Sequence, residues 1–378
     1  MNIGILETEH FEGAYPVIKL FDMPENKLIL FTDFKTQKRF LDIFKSQKNN
    51  YKWVIEDPEK NRFHFFLKIY IAAKKHKLDL LYVNTISNNH LLYGLMIKFL
   101  SPLRVILTIH DINCLFESRI NGIRETIQHA GKRLLLKQVR EFNVVSDTMI
   151  DYLQKKDNRI IIHNIPGAVF EYRIPKNEIN DHVHLVVPGS IDERRRDYEK
   201  VFALIHAAEE NEVPISITLL GGAKEQYGDS IISRAKNYNG NYTRLKYYDE
   251  KIIGQDEFDE QLDSAHFIFI PSVVHTIICN QIPEIYGITK SSGNIFDVIK
   301  HAKPFIAPQE LVTPVDLKDS RFSYQTILQL VIFLKKLLQA PEEYHGWREK
   351  AILNSKKFTI ERIRGKNPLL FAMDSNKS

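Results

Sequence analysis

The stretch from Lys290 to Pro308, KSSGNIFDVIKHAKPFIAP, combines residue types that could hold a phosphorylated ligand. Ser291, Ser292 and Gly293 form a small turn. Asn294 follows as a further candidate donor contact, and a helix then starts, with Ile295, Phe296, Val298, Ile299 and Ala302 available for burial. A glycine turn feeding a helix N-terminus presents free backbone N–H groups, a ready site for a diphosphate. Asp297, about one turn into the helix, could accept hydrogen bonds from ribose hydroxyls. A serine before a helix is also a common N-cap, and the local pattern leaves both readings open.

The elements around this stretch alternate. Short apolar runs read as buried strands at Ile3–Leu6, Leu28–Thr32, Leu80–Asn84, Val105–Ile109, Asn143–Ser146 and Ile160–Ile162. Helical spacing lies between several of them, notably at Arg62–His76 and Ile123–Arg140. After a polar, proline-containing hinge from Pro166 to Asp181, a second series follows: His184–Val187, Ile215–Leu219, Leu245–Tyr248, Phe267–Ile270 and Pro304–Ala307. Its helices are Tyr198–Glu210, Gln255–Ser264 and Ile295–Ala302. Strands separated by helices imply parallel βαβ units. The expected architecture is α/β: two Rossmann-like, doubly wound domains facing across a cleft, with ligands beyond the carboxyl ends of the strands. The expected division is residues 1–170, residues 171–345, and a helical tail 346–378 that could pack back on the first domain. From Tyr324 onward, Leu328, Val331, Leu334 and Leu338 repeat at near-helical spacing.

Composition narrows the function. The 378 residues suffice for two domains, each long enough to bury a core. A net charge of +5 is too small to argue for nucleic acid, but it permits a local basic patch. Cys114 and Cys279 stand in no metal-type spacing, which argues against zinc and against a disulfide framework; a reducing cytosol fits. No secretory leader and no uninterrupted apolar run of membrane-spanning length is visible, so membrane contact is expected to be peripheral.

The Lys290–Pro308 stretch resembles the donor site of the large retaining GT-B glycosyltransferase family of bacterial polysaccharide and lipid-glycan enzymes. That pattern runs acidic residue, glycine-rich turn, second acidic residue, helix, and a strand like Lys303-Pro304-Phe305-Ile306. Asp297 takes the second acidic place. Thr289 stands at the first, where a carboxylate is expected to touch the donor sugar. Between Pro271-Ser272 and Thr289, residues 273–288 read as an inserted loop; Glu284 could supply the missing carboxylate or be a solvated charge.

The resemblance extends to neighbouring pieces. His184–Tyr198, HLVVPGSIDERRRDY, is similar to the family's first donor-domain strand and loop, where a glycine turn (Gly189) precedes basic residues that hold the pyrophosphate. Arg194, Arg195 and Arg196 cannot all point one way on a helix. Arg195 and Arg196 are the expected ligands, against a solvated charge run. Gly221 in Leu219–Gly222 resembles a second strand end near the nucleotide, and Tyr248 falls where the base is often contacted. In the first half, VILTIHD resembles a strand ending in T-x-H, which makes His110 the candidate facing the donor sugar. Its alternative is a histidine bonded to a loop carbonyl. Glu12 and Gly13 resemble the loop approaching sugar or acceptor, and Ser146 is expected to cap a helix.

What the resemblance implies is transfer from a nucleotide-diphosphate sugar, with retention, without a metal site or cofactor. A paired-carboxylate hydrolase is not supported. The acceptor would be a glycan or a polyprenyl-diphosphate-linked molecule. The helix Ile123–Arg140, with Ile123, Ile127, Ala130 and Leu134 in a stripe among basic residues, could face an anionic inner membrane surface or simply bury that stripe. A nucleotide-sugar epimerase and a non-catalytic partner subunit on the same fold remain alternatives.

Overall fold

The computed structural model describes residues 1–44, 51–172, 177–279 and 281–372. The chain divides into two compact units. Unit 1 holds Met1–Ala168, Cys279–Glu284 and the described part of Ile360–Ser378; unit 2 holds Val169–Ile278 and Ile285–Thr359. The expected 346–378 tail is thus split, with residues 346–359 counted in unit 2. Of the expected hinge, residues 173–176 lie outside the described ones.

Unit 1 is built on strands β1 (Asn2–Leu6), β2 (Lys27–Thr32), β3 (Lys52–Ile55), β4 (Leu80–Val83), β5 (Arg104–Ile109), β6 (Glu141–Val144) and β7 (Ile161–Asn164). They form one parallel sheet in the order β3-β2-β1-β4-β5-β6-β7. Leu28 to Phe31 and Leu80 to Val83 are buried throughout. Such unbroken apolar runs belong to strands covered on both faces. Helices α1 (Phe11–Phe21), α2 (Phe34–Phe44), α3 (Arg62–Lys75), α4 (His90–Leu100), α5 (Ile112–Phe116), α6 (Ile123–Gln138) and α7 (Ile150–Lys156) connect them.

Strand order reverses direction at β1. Right-handed crossovers therefore put α1 and α2 on one face and α3, α4 and α6 on the other. Neighbour packing agrees: α1 lies against α2, and α4 lies between α3 and α6. Gly131 permits the close approach of α6 to α4, since a Cβ there would stand 2.3 Å from the Leu91 backbone nitrogen.

Two expectations for unit 1 need correction. The stripe expected on α6 is not its buried face: Ile123, Ile127 and Ala130 are exposed, whereas Gly131, Lys132 and Leu135 are buried. The Lys132 ammonium is accommodated because it donates to the carbonyls of Cys114 and of Glu117, the latter at 3.1 Å. Ser146 stands at an N-cap position, but its hydroxyl bonds the Thr148 hydroxyl at 2.8 Å instead of a backbone N–H. In addition, Cys114 is disulfide-bonded, whereas the sequence reading argued against a disulfide framework.

Unit 2 contains β8 (Val183–Pro188), β9 (Ile215–Leu220), β10 (Thr243–Lys246), β11 (Phe267–Phe269), the two-stranded pair β12 (His275–Cys279) and β13 (Ile282–Ile285), β14 (Phe305–Pro308) and β15 (Arg321–Tyr324). Its main parallel sheet runs β10-β9-β8-β11-β14-β15. Helices α8 (Tyr198–Glu210), α9 (Glu225–Lys236), α10 (Gln255–Ser264), α11 (Gly293–His301), α12 (Ile327–Gln339) and α13 (Glu343–Ser355) accompany it. The inserted loop is therefore a β12–β13 hairpin, whose residues 279–284 are counted with unit 1. Asp197 caps α8 through the Lys200 N–H at 3.3 Å, and Thr326 with Gln329 forms a capping box on α12. On α12 the buried face is Leu330, Val331, Leu334 and Leu337; Leu328 is exposed.

In unit 1, α14 (Ile360–Lys366) packs on α1, and Arg364 donates to the carbonyls of Leu20 and Lys19 at 3.0 Å each. Among the described residues, no helix is long and apolar enough to cross a membrane.

Candidate functional site

In unit 2 the carboxyl ends of β8 and β9 and the amino end of α11 converge. β8 ends at Pro188, and Gly189 turns the chain with φ +93°, a conformation that disfavours any side chain. A Cβ on Gly221 would stand 2.1 Å from the Gly189 carbonyl oxygen, so the two loops are in direct contact. The Arg196 guanidinium lies across the same turn: a Cβ on Gly189 would be 2.3 Å from its Nη2.

Arg196 ties these elements together. Its Nη1 donates to the Ser190 carbonyl at 2.9 Å, and its Nη2 to Asn294 Oδ1 at 3.2 Å. Asn294, in the first turn of α11, donates from Nδ2 to the Pro188 carbonyl at 2.8 Å. Both side chains are buried, and Arg196 Nε has no partner among the described residues. A buried cation with spare donor capacity beside a helix N-terminus attracts an anion.

The other two arginines are committed elsewhere. Buried Asp192 accepts from the Arg194 side chain at 3.2 Å and pairs with Arg195 at 3.4 Å, and both arginines are substantially exposed. Burial alone would raise the Asp192 pKa, but the Arg194 N–H and the two guanidinium groups outweigh it and hold the carboxyl below its usual range. The structure thus separates Arg196 from Arg195.

Ser292 occupies the N-cap position of α11, but its hydroxyl makes no capping bond. Ser291 is half-buried, and a Cβ on Gly293 would meet nothing within 4 Å, so space is open before the helix. Asp297 is half-buried one turn in. Burial pushes its pKa up to about 6, against the pull of His301, Lys300 and Arg196 and a hydrogen bond from Asn294. His301, fully buried, is held by Asp263 at 2.8 Å and Asp259 at 3.4 Å.

Three candidates take other positions. The Thr289 hydroxyl is fully buried and accepts the Ile285 N–H at 2.7 Å, closing the turn after β13. Glu284 is no solvated charge: it is buried in unit 1, where its carboxylate accepts the Cys114 N–H at 2.7 Å in the first turn of α5. Tyr248 lies beyond the end of β10, its hydroxyl donating to Glu257.

Unit 1 has its own polar cluster beyond β1, β4 and β5. His110 follows β5, and its Nε2 lies 3.0 Å from the Asn84 carbonyl, so that nitrogen carries the proton and Nδ1 the lone pair. Burial, with His10 adding to it, lowers the His110 pKa, so the ring is neutral near pH 7. Gly13 faces this group: a Cβ there would stand 3.6 Å from Asn84 Nδ2 and 4.0 Å from His110 Cε1. Glu12 is exposed at the start of α1.

Sequence reasoning missed Glu7. It is buried and accepts from the backbone of Glu9 and His10, and from Asn84 Nδ2 at 2.6 Å and Thr85 Oγ1 at 2.7 Å. A lone glutamate ending a strand that lacks a motif carries no such signal. Among the described residues, no group of three or more His, Cys, Asp or Glu could hold a metal ion.

No family model matches the chain, and no curated protein matches it. Solved structures do. Sucrose-phosphate synthase from Thermosynechococcus elongatus superposes with a TM-score of 0.64 at 13% identity, covering 98% of each chain. Anabaena HepE, solved in complex with UDP and glucose, gives 0.62 at 11% identity, covering 98% of this chain and 99% of its own. The UDP-GlcNAc 2-epimerase from Neisseria meningitidis, bound to UDP-GlcNAc, gives 0.55 at 12% identity, covering 97% and 100%. The fold is therefore GT-B, with two Rossmann-like units, as the sequence resemblance implied.

Proposed function

We propose that the chain is a glycosyltransferase. It moves a sugar from a nucleotide-diphosphate donor to a glycan or polyprenyl-diphosphate-linked acceptor, with retention and without a metal cofactor. The observation that carries this reading is Arg196, buried over Gly189 and bonded to Asn294 at the start of α11. When a glycosidic bond to a diphosphate breaks, negative charge grows on the leaving group. Preorganised donors stabilise it best where they are already in place and desolvated. Arg196 and the N–H groups of α11 are such donors, and the open space at Gly293 admits the phosphate. Asp297 as carboxylate accepts ribose hydroxyls. Unit 1 offers the His110 Nδ1 lone pair to a sugar hydroxyl, with Glu12 and Gly13 toward the acceptor. Two of the three solved neighbours named above were determined with a UDP compound bound, which supports a nucleotide-sugar ligand.

The test is thermal unfolding against a panel of nucleotide sugars, for wild type, Arg196→Ala and Asp297→Ala. A ligand that binds only the folded state raises stability. One nucleotide sugar is expected to stabilise wild type and neither variant. No response to any nucleotide sugar sinks the reading in favour of a non-catalytic homologue.

The epimerase neighbour favours one second reading, a nucleotide-sugar epimerase on the same fold. Incubation with the stabilising nucleotide sugar alone separates the two. An epimerase accumulates the isomer without acceptor, and a transferase does not.

A further inference from the structure

At the β15 edge of unit 2, side chains from β15, α12 and α13 line an open hollow of about 570 Å³. That volume falls within the span of small-ligand sites, roughly 300–1,000 Å³. One wall is aromatic. Phe322 and Phe333 stack with their ring centroids 3.8 Å apart, and Trp347 stands across Phe333 at 5.4 Å and 77°. All three rings are only half-buried, so they hold apolar surface open to the hollow.

The rim is polar and electrically balanced. Gln309, Ser323 and Gln325 are exposed there, and their side chains have no partner among the described residues. Gln329 gives its amide oxygen to the N–H groups of Gln325 and Thr326, at 2.9 and 3.3 Å, and keeps its NH2 to offer. The two charged lining residues cancel: Lys336 and Glu343 pair at 2.9 Å. The backbone adds one more pair of groups. The Gln309 N–H donates to the Tyr324 carbonyl at 2.9 Å, so Tyr324 faces β14, and strand alternation turns the Ser323 N–H and C=O out of the sheet.

These features select the occupant. An added β-strand needs a ladder of free backbone groups. Here the Arg321 N–H is taken by the Lys318 carbonyl and the Gln325 N–H by Gln329, which leaves too short an edge for a peptide or for a second copy of the chain. A pyranose chain meets every group present. Each of its hydroxyls both donates and accepts, as amides and a serine require. Its C–H faces are apolar and lie flat against aromatic rings, and a neutral chain needs no counter-charge.

We propose that the hollow formed by β15, α12 and α13 binds a neutral oligosaccharide. In the sheet order β15 lies three strands from β8, about 14 Å away, so this site is separate from the one around Arg196. The inference stands on the lining of the hollow and does not rest on the transfer reading.

The experiment is calorimetric titration of the full chain with maltotetraose, cellotetraose and chitotetraose, alongside the fluorescence of Trp53→Phe, whose one remaining tryptophan is Trp347. At least one tetrasaccharide should bind wild type and shift the Trp347 emission. The variant Gln309→Ala/Gln325→Ala should bind at least about tenfold more weakly, because it removes two hydrogen-bonding amides. Its melting temperature should match wild type, since both positions are exposed. Arg196→Ala should bind the tetrasaccharide as wild type does, which keeps this site apart from the donor reading: a wild type that ignores nucleotide sugars leaves the expectation unchanged. Binding of none of the three tetrasaccharides, full affinity in the double glutamine variant, or weakened binding in Arg196→Ala overturns the proposal. So does a wild-type dimer in sedimentation velocity that Ser323→Pro dissolves, because it assigns the strand edge to a second copy.

Discussion

Arg196 occupies the space that a side chain at position 189 would need, its Nη2 lying 2.3 Å from the Cβ built there. Gly189 also holds φ +93°. Gly189→Ala therefore meets strain and a displaced guanidinium together. The expected cost is about 1–3 kcal/mol, lowering the melting temperature by several degrees. The nucleotide-sugar stabilisation should disappear as well. A variant that melts lower but keeps its full ligand response would separate the turn from the binding site.

Neighbouring arginines should behave unequally. Arg196→Ala is expected to cost about 2.7–4 kcal/mol of transition-state stabilisation, seen as at least about a hundredfold drop in kcat/KM. Arg195→Ala removes a half-exposed group already paired with Asp192, and its effect should stay within about threefold. Steady-state kinetics of the two variants side by side decides which one holds the leaving group.

Asp297 predicts a pH signature of known sign. Its folded pKa, about 6, lies above its ordinary 3.8. Between pH 4 and 6 the unfolded chain has lost this proton while the folded chain keeps it, so stability falls as pH rises through that window. Above pH 6 the ionised carboxyl costs on the order of 1–3 kcal/mol. Asp297→Asn should therefore raise the melting temperature at pH 7.5 and leave it unchanged below pH 4. It should abolish the gain in nucleotide affinity that wild type shows as pH rises through 6. Melting curves and titrations at pH 4, 5, 6 and 7.5 check both statements; a wild-type affinity flat across pH 6 removes the ribose role.

The Thr289 hydroxyl satisfies the buried Ile285 N–H. Thr289→Val strands that donor at a cost of about 1–3 kcal/mol. Thr289→Ser should be nearly neutral. If the hydroxyl also served the sugar, Thr289→Val would lower kcat per folded molecule by tenfold or more. The expectation is an unchanged kcat, measured against active protein at a temperature well below both melting points.

Glu7 holds the β1–α1 loop and Asn84, whose carbonyl fixes the tautomer of His110. Glu7→Gln replaces one acceptor oxygen with an NH2 among donors, at an expected cost of about 2–4 kcal/mol. Because His110 is neutral near pH 7, the wild-type rate should show no histidine inflection above pH 6.5. An inflection near pH 7 that vanishes in His110→Gln would overturn the neutral assignment.

Composition and local order were enough to read two doubly wound halves, most buried strands and the helix carrying Asp297. Parallel strands buried on both faces are runs such as Leu80–Val83, and that signal is local. One edge strand of each main sheet escaped the reading. The strands Lys52–Ile55 and Arg321–Tyr324 are short and mixed, and the paired strands His275–Cys279 and Ile282–Ile285 fell inside the stretch that read as an inserted loop. Helix faces were displaced where periodicity was ambiguous: α6 buries Lys132 and exposes Ile123 because Lys132 finds the carbonyls of Cys114 and Glu117, which no periodicity reveals. In the same way, the sequence by itself determined that three arginines follow a glycine turn and that Asp297 lies one turn into a helix. Only the tertiary structure decided that Asp192 takes Arg194 and Arg195, that Arg196 alone spans Gly189 and Asn294, and that Thr289 and Glu284 are spent on backbone N–H groups. Such choices depend on which donors and acceptors meet at 3 Å, and partners as remote as Arg196 and Asn294 meet only when the sheet brings its strand ends together.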